Sequence, residues 1–401
     1  MKIKPVILCG GEGTRLFPSL KKNPSKQFID FGGWTLFGET LRRIKSSIFD
    51  SPLISTNKKY EKIIQKILKE NKIKDFKIVL EPFKKNTGPA IISSTLINDI
   101  KINQPILFLP SDHYLPEKDK FNKILKSNLS NLNDKNIFIF GVKPKYPSSD
   151  YGYLLSKKIN NKIKKVVKFI EKPNAKNVKK LISQNSYWNS GIILARKDSI
   201  IKNSKKVQKN LFNSCLQATT TCLLKKKTII LNKKYFKKIK AISFDHAILE
   251  KAKEINSIEL NLKWSDLGSW KEIFKIIKSK TTQAFIKKNT YYRPWGNYKN
   301  FFKGKNFLLK ELTVNKNSSI SLQKHHHRAE HWTITSGKPK ITIGKKIFFK
   351  EINESVFVPR GSIHRIENTF DEPVKIVEAQ IGTILRETDI VRYQDIYGRV
   401  K

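Results

Sequence analysis

The chain has 401 residues, of which 39% are hydrophobic, so it is long enough for more than one domain with a buried core. It contains no apolar run of about 18 residues and no signal-peptide pattern, from which we expect a cytoplasmic protein without membrane association. The formal net charge is +47, but only eleven of the 80 basic residues are Arg and the lysines are spread through every segment. This dispersion is typical of a solvated surface and does not resemble a nucleic-acid-binding patch.

The chain begins with a short apolar run that stops at a glycine cluster, Gly10, Gly11 and Gly13. The pattern predicts a buried strand followed by a ligand-binding loop, although an ordinary strand-to-helix turn would have the same glycines. Backbone N–H groups of glycine can approach a phosphate closely, and Arg15 offers a planar donor fork to phosphate oxygens. The spacing fits neither G-x-G-x-x-G nor a P-loop.

With Pro18 and the run Pro24-Ser25-Lys26-Gln27-Phe28, this stretch resembles the G-G-x-G-T-R-L-x-P…P-K-Q-F signature of sugar-nucleotide pyrophosphorylases, in particular mannose-1-phosphate guanylyltransferases. Ser25 departs from the signature, because the usual proline stands one position early. The resemblance implies catalytic roles for Arg15 and Lys26, which steady the triphosphate. It also implies nucleotide contacts from Leu8, Gly10, Gly11, Gly13, Thr14, Arg15, Lys26 and Asn86.

The following residues alternate between two periodicities. Helical spacing at 35–48 and 58–72 alternates with strand-like runs at 51–56 and 76–80. Such alternation predicts parallel strands and an α/β Rossmann-like nucleotidyltransferase domain, in which ligands bind at the carboxyl ends of the strands.

Two aspartates are the candidate magnesium ligands of this domain. Asp112 follows a buried-strand run at 105–110, and Asp266 lies in the run Trp264-Ser265-Asp266-Leu267-Gly268-Ser269-Trp270. Mg²⁺ prefers one or two carboxylates together with phosphates and water. Asp112 alone would favour a helix N-cap, but both motifs resemble the family's metal-binding motifs, which implies catalytic roles for both carboxylates.

Four further motifs occur in the order of the family: the run Glu81 to Ala90, Tyr151-Gly152-Tyr153, Phe169 to Pro173 and Trp188 to Ile192. The run Glu81 to Ala90 resembles E-P-x-x-R-N-T-A-P-A, with Lys85 replacing the usual Arg. The resemblance implies that the sugar phosphate is bound by Gly152, Glu171, Lys172 and Asn189. The lysine-rich segment 202–231 is expected to pack on the outside as a helix and loops.

We predict a domain boundary near residue 283, giving a nucleotidyltransferase domain at 1–283 and an all-β cupin (jelly-roll) domain at 284–401. Full-length relatives carry several dozen more residues in the linker, so the linker of this chain is shortened. The second domain is predicted from alternating runs such as 307–314, 320–323, 331–335, 340–343 and 355–358, separated by turns.

Histidine usage indicates a metal site in the second domain, because five of the seven histidines lie between residues 325 and 364. Alternation predicts His325 and His327 on one strand face, and Glu330 and His364 complete a cupin ligand set. His331 is the rival fourth ligand, since it shares the parity of the histidine pair. Such ligands fit Zn, Mn, Fe or Co, and the sequence does not choose among these metals.

The run Gln323 to Trp332 and the closing Asp389-Ile390-Val391-Arg392…Arg399 resemble type II mannose-6-phosphate isomerases. This resemblance implies catalytic roles for Glu330, Arg392 and Arg399, with the two arginines holding the phosphosugar. The base that moves the proton is left open.

Together the motifs resemble the bifunctional enzymes of GDP-mannose and polysaccharide biosynthesis. The implied partners are GTP, mannose 1-phosphate, fructose 6-phosphate and mannose 6-phosphate, with no nucleic acid and no membrane. A homodimer is compatible with the sequence. Two alternatives stay open: a guanylyltransferase whose cupin binds sugar without turnover, and a basic nucleic-acid-binding protein.

Overall fold

A computed structural model of the chain describes residues 1–11, 25–31, 34–160, 163–280 and 283–398. These residues form two compact units, the first drawn from Met1–Ile29 and Thr35–Asp266 and the second from Asp30–Trp34 and Leu267–Lys401. The predicted boundary near residue 283 lies inside the second unit. The reason is that aromatic side chains of the helix Trp270–Lys280 pack on that unit. The ring centroids of Trp270 and Phe307 are 5.5 Å apart, and those of Phe274 and Phe301 are 4.6 Å apart.

In the described part of the first unit, eleven strands form one sheet. They are β1 (Lys4–Leu8), β2 (Leu53–Asn57), β3 (Lys77–Glu81), β4 (Pro105–Pro110), β5 (Ile137–Val142), β6 (Tyr153–Lys158), β7 (Ile163–Ile170), β8 (Tyr187–Arg196), β9 (Leu223–Lys225), β10 (Thr228–Ile230) and β11 (Ile255–Glu259). The helices are α1 (Leu36–Arg43), α2 (Glu61–Glu70), α3 (Thr87–Thr95), α4 (Lys118–Asn128), α5 (Ala175–Ser183), α6 (Lys197–Val207), α7 (Lys209–Thr220) and α8 (Lys233–Lys237).

The strand order is β5-β11-β7-β6-β8-β4-β1-β2-β3-β10-β9, and β1 pairs in parallel with both β2 and β4. Neighbouring residues on β1 belong to different hydrophobic clusters, Val6 to one and Ile7 to the other. A parallel strand that is buried on both faces needs apolar residues at successive positions, which explains the apolar run in β1. The predicted α/β fold is confirmed, and the carboxyl ends of β1, β2, β3 and β4 share one edge.

The expectation for segment 202–231 is correct for its helical content but wrong for its packing on the outside. Its strand β10 pairs in parallel with β3 and extends the sheet, and α7 buries Phe212 and Cys215 in the core. The buried residues of α7 recur at helical spacing among polar ones, so its apolar face does not form a continuous apolar run in the sequence.

The second unit consists of strands in two sheets together with α9 (Trp270–Lys280) and α10 (Gln283–Lys288). Its strands are β12 (Thr290–Arg293), β13 (Gly296–Lys303), β14 (Phe307–Val314), β15 (Ser318–Ser319), β16 (Leu322–His325), β17 (Arg328–Ser336), β18 (Lys340–Ile343), β19 (Lys346–Phe349), β20 (Ser355–Val358), β21 (His364–Asn368), β22 (Val374–Gly382) and β23 (Ile390–Gln394).

Among the described residues, one sheet has the order β12-β13-β14-β22-β17-β20 and the other β19-β18-β21-β16-β23, with β15 on β21. Trp332, Ile334, Ile341 and Ile366 are fully buried in one hydrophobic cluster with members from both sheets. The predicted all-β domain is confirmed. Three predicted strands coincide with β14, β18 and β20, and the run predicted at 331–335 lies within β17. The run predicted at 320–323 only overlaps β16, which spans Leu322–His325. In the described residues, no helix has both the length and the apolar character needed to span a membrane.

Candidate active sites

A cleft of about 800 Å³ opens in the first unit where the central strands end. It is lined by most of the residues that the sequence nominated: Leu8, Gly10, Gly11, Asn86, Asp112, Gly152, Glu171, Lys172, Asn189 and Asp266. Gly13, Thr14 and Arg15 lie outside the described residues. Motifs more than 200 positions apart therefore meet in one cavity, because the carboxyl ends of the parallel strands β1, β3 and β4 lie at the same edge as the beginnings of β6 and β8.

The start of the glycine loop is fixed by hydrogen bonds from neighbouring elements. The hydroxyl of Thr56 donates to the carbonyl of Cys9 at 2.9 Å, and Nε2 of Gln27 donates to the carbonyl of Gly11 at 3.0 Å. A Cβ atom added to Gly10 or Gly11 would meet no atom within 4 Å. Packing does not require these glycines, so their use is to leave the backbone open to a ligand.

A small antiparallel bridge brings the two candidate magnesium ligands together. The N–H of Tyr114 donates to the carbonyl of Ser265 at 2.9 Å, and the N–H of Ser265 donates back at 3.1 Å. Asp112 and Asp266 flank this bridge. Nζ of Lys26 lies 2.8 Å from Oδ2 of Asp112 and also donates to the backbone carbonyl of Asp266.

The charge of Asp112 is stabilised by these neighbours. Desolvation alone would raise its pKa, but Lys26 and His113 outweigh it and lower the pKa to about 2. Two carboxylates beside this cleft match the ligands that Mg²⁺ prefers. Lys26 was expected to steady the triphosphate, and the structure places its ammonium on the aspartate pair.

Sequence reasoning missed Tyr151, whose hydroxyl donates to Oδ1 of Asp266 at 2.8 Å. The Tyr-Gly-Tyr motif was recognised, but no signal in it indicates which carboxylate its first tyrosine contacts.

Glu81 was also missed, although it opens a recognised motif at the end of β3. It lines the cleft, and Oγ of Ser55 donates to its Oε1 at 2.7 Å. Burial raises the pKa of Glu81 to about 7. The available signal was an acidic residue at the carboxyl end of a central strand. Asn86 has a positive φ of 70° and caps α3, with its side chain accepting from the N–H of Thr87 at 2.8 Å.

The four predicted sugar-phosphate residues lie together on the other side of the cleft. The N–H of Asn189 donates to the carbonyl of Gly152 at 2.8 Å, and Nζ of Lys172 lies 3.6 Å from Oε1 of Glu171. A Cβ atom on Gly152 would stand 2.5 Å from Oε2 of Glu171. A side chain at this position would therefore displace the Glu171 carboxylate from its place beside the backbone of Gly152.

In the second unit, His325, Glu330 and His364 form a buried group whose ligand atoms all lie within 4.8 Å of one another. Nδ1 of His325 lies 3.2 Å from the carbonyl of Asp389, and Nδ1 of His364 lies 2.9 Å from the carbonyl of Ser362. If each Nδ1 carries the proton, each Nε2 presents a lone pair towards Glu330, which is the tautomer that metal-ligating histidines use. The donor set fits a divalent transition metal.

Glu330 is held from several directions. Its Oε1 accepts from Nε of Arg328 at 3.1 Å and from Nε2 of Gln380 at 3.0 Å, and its Oε2 accepts from Nε1 of Trp332 at 3.1 Å. Without a bound metal, burial favours the neutral acid, but a protonated His325 and the adjacent Arg328 keep the pKa of Glu330 well below its ordinary value. The carboxylate is thus charged and fixed in position.

The expectation that His325 and His327 share one strand face is wrong. Strand β16 ends at His325 and β17 begins at Arg328, so His326 and His327 lie in the turn between them. His327 is exposed, and its N–H donates to Asp389 at 3.2 Å. Among the described residues it is not part of the ligand group.

His331 also lies away from this group. Successive side chains on β17 alternate between faces, so His331 points away from Glu330 and its ring lies 4.7 Å from that of Phe357. The parity argument for His331 required one unbroken strand from His325, and the turn removes that condition.

Strand pairing places Arg392 on the same sheet face as His364. Gln323 on β16 pairs with Arg392 on one side and with His364 on the other, so these side chains share a face of the sheet. Nε of Arg392 is buried and has no hydrogen-bond partner among the described residues. Arg399 lies outside the described residues.

Two family models match the chain: Nucleotidyl transferase over residues 4–283 and Mannose-6-phosphate isomerase C-terminal over residues 280–395. Similar proteins include the alginate biosynthesis protein AlgA of Pseudomonas putida, 28% identical over 467 positions covering 98% of this chain and 96% of AlgA. Mannose-1-phosphate guanylyltransferase of Escherichia coli K12 is 27% identical, covering 100% of this chain and 99% of that protein. The AlgA alignment has 467 positions against 401 residues here, so at least 66 positions have no residue of this chain.

Among solved structures, a mannose-1-phosphate geranyltransferase of Thermus thermophilus has a TM-score of 0.60 at 20% identity. The match covers 69% of this chain and 79% of that one, and at this identity it supports only the fold. A mannose-6-phosphate isomerase of Helicobacter pylori has a TM-score of 0.58 at 27% identity, covering 66% of this chain and 100% of that one. The chain therefore belongs to the nucleotidyl transferase family and carries a C-terminal domain of the mannose-6-phosphate isomerase family.

Proposed function

We propose that the first unit transfers GMP from GTP to mannose 1-phosphate, giving GDP-mannose and pyrophosphate. The observation that carries this proposal is the convergence of Asp112, Asp266 and Lys26 at one cleft that is also lined by Glu171 and Asn189. A cation site beside a sugar-binding wall is the arrangement that nucleotidyl transfer to a sugar phosphate needs.

In this reaction an oxygen of mannose 1-phosphate attacks the α-phosphorus of GTP, the bond from that phosphorus to the β-phosphate oxygen breaks, and pyrophosphate leaves. Mg²⁺ bound by Asp112 and Asp266 would neutralise phosphate charge. Lys26 holds Asp112 ionised, and Arg15 is assigned to the triphosphate. No covalent enzyme intermediate is required, because positioning and electrostatics supply most of the catalysis of phosphoryl transfer.

Glu81 supports guanine as the base. Guanine presents two adjacent donors, N1–H and the N2 amino group, whereas the Watson–Crick edge of adenine presents one donor beside an acceptor. A carboxylate accepts from both guanine donors. Glu81 offers this carboxylate in the cleft, with one oxygen held by Ser55 at 2.7 Å.

We propose further that the second unit interconverts fructose 6-phosphate and mannose 6-phosphate. His325, Glu330 and His364 would hold a divalent transition metal that polarises the sugar carbonyl, with Zn, Mn, Fe and Co all compatible. The unpartnered Nε of Arg392 supports a phosphate on the same face. Arg399 is assigned to the same phosphate. The alternative to isomerase activity is a cupin that binds sugar without turnover.

The proposal keeps the predicted domain division at residue 283, which the family models over residues 4–283 and 280–395 support, although the compact units divide at Asp266. It also keeps a cytoplasmic location and small-molecule partners only. Each activity has a direct assay. Purified protein is incubated with Mg²⁺, mannose 1-phosphate and each NTP in turn, and separately, after loading with each transition metal, with fructose 6-phosphate. A nucleotide sugar that forms with GTP, and with no other NTP, supports the first activity. If no GDP-mannose forms, the first activity is overturned. No isomerisation with any metal supports the non-catalytic cupin, and steep salt-dependent DNA binding would favour a nucleic-acid-binding protein.

A further inference from the structure

One acidic residue in the cleft has no part in the function so far. Asp245 lines the cleft and begins a π-helical turn, Asp245–Leu249. Such turns are rare and occur frequently at functional sites. The turn is anchored by Ala247, Ile248 and Leu249, whose side chains are buried in the core.

The segment before Asp245 is tied to the nucleotide side of the cleft. The N–H of Phe244 donates to Oγ1 of Thr87 at 2.9 Å, and the N–H of Gly88 donates to the carbonyl of Ile242 at 3.0 Å. A Cβ atom on Gly88 would lie 2.7 Å from that carbonyl oxygen, so the two segments are in close contact. Asp245 is thus held relative to the motif that carries Asn86.

On its other side Asp245 contacts the sugar-binding residues. Nδ2 of Asn189 donates to Oδ1 of Asp245 at 2.7 Å, while Oδ1 of Asn189 accepts from the N–H of Gly191 at 3.0 Å. These two bonds fix the amide of Asn189. Burial and the nearby Glu171 raise the pKa of Asp245 to about 6, so it is mainly charged at neutral pH.

Two carboxylates in one wall of the cleft repel phosphate and accept hydrogen bonds from hydroxyl groups. The sugar 1-phosphate is therefore expected to bind with its hydroxyls towards Asp245 and Glu171, while Lys172, whose Nζ lies 3.6 Å from Oε1 of Glu171, is the nearby cation available to its phosphate. We propose that Asp245 is a specificity-determining residue that accepts a hydrogen bond from a ring hydroxyl of the sugar and positions Asn189 beside it. This inference rests on the proposed nucleotidyl transfer to a hexose 1-phosphate.

The test couples a change in the protein to a change in the sugar. The wild type and the Asp245→Ala and Asp245→Asn variants are assayed with mannose 1-phosphate and with each of its monodeoxy analogues. For the wild type, removing the recognised hydroxyl lowers kcat/KM about 10- to 100-fold, as expected for a hydrogen bond to a charged group. In Asp245→Ala, kcat/KM for mannose 1-phosphate falls by the same factor, and removing that hydroxyl from the sugar lowers kcat/KM no further.

His246→Ala is the matched control, because this neighbouring side chain is 52% exposed and pairs with Glu250 at 2.9 Å. The KM for GTP and the thermal unfolding temperature report whether the variants fold. Equal losses in Asp245→Ala for every sugar would show a structural role and overturn the inference, as would unchanged kinetics.

Direct calorimetric binding separates this inference from the proposed function. If the wild type makes no GDP-mannose yet binds hexose 1-phosphates, with affinity coupled to Asp245 and one hydroxyl, the subsite stands and only the transfer reaction fails. If it binds none of these sugar phosphates, both fail.

Discussion

The hydroxyl of Tyr151 donates a hydrogen bond to Oδ1 of Asp266 at 2.8 Å, which fixes the direction of a carboxylate assigned to Mg²⁺. Tyr151→Phe removes this bond, and a bond to a charged group corresponds to about a tenfold effect or more. We expect guanylyl transfer to fall about tenfold at limiting Mg²⁺ and to recover partly at high Mg²⁺. Initial rates across a Mg²⁺ titration measure this. Tyr153→Phe is the control, because that hydroxyl donates to the carbonyl of Ser148 instead. Equal behaviour of the two variants would contradict the assignment.

The two aspartates should affect one activity alone. Asp112→Asn or Asp266→Asn removes a charged ligand of the proposed Mg²⁺ site, and we expect GDP-mannose formation to fall about 100-fold or more. Isomerase activity should be unchanged, because the residues assigned to it lie in the second unit. Both assays are run on the same folded sample, and joint loss would argue against separate sites.

Glu81 predicts a pH dependence. Burial raises its pKa to about 7, so the carboxylate is protonated below that pH and accepts fewer hydrogen bonds from guanine. The value of kcat/KM for GTP should therefore rise towards pH 7 and level off above it, with a limiting slope of roughly tenfold per pH unit on the acid side. In Glu81→Gln we expect this limb to flatten and the preference for GTP over ATP to shrink. An unchanged pH profile in Glu81→Gln would show that a group other than Glu81 causes the acid limb.

Metal content distinguishes the histidines of the second unit. Glu330→Gln removes the charged member of the buried group, so bound metal and isomerase rate should both fall. His331→Ala and His327→Ala should keep their metal, because neither side chain belongs to that group among the described residues. Elemental mass spectrometry on the three variants measures this. Full metal in an inactive Glu330→Gln protein would reassign Glu330 as the proton-transferring base.

Arg392 should act on substrate binding. Arg392→Lys keeps the charge but loses the planar fork, so we expect the KM for fructose 6-phosphate to rise about tenfold while metal content is unchanged. Arg360→Lys is the matched control, since Arg360 is exposed. If KM does not change in Arg392→Lys, the buried Nε has a different partner.

Several features of this protein were determined by its sequence alone. The apolar runs predicted β1 and β4, and the motifs after them nominated Asp112, Asp266, Glu171 and Asn189, which the structure brings into one cleft. Prediction works here because buried strands need continuous apolar residues and strand ends gather at one edge of a parallel sheet.

Tertiary structure alone decided which side chains touch. Tyr151 and Asp266 are 115 positions apart, and only the folded sheet selects that tyrosine for that carboxylate. In the second unit, the histidine pattern could not indicate that β16 would end at His325. That turn directs His327 to solvent and brings Arg328 onto Glu330, because side-chain direction reverses with every residue and a single break in a strand changes which residues share its face.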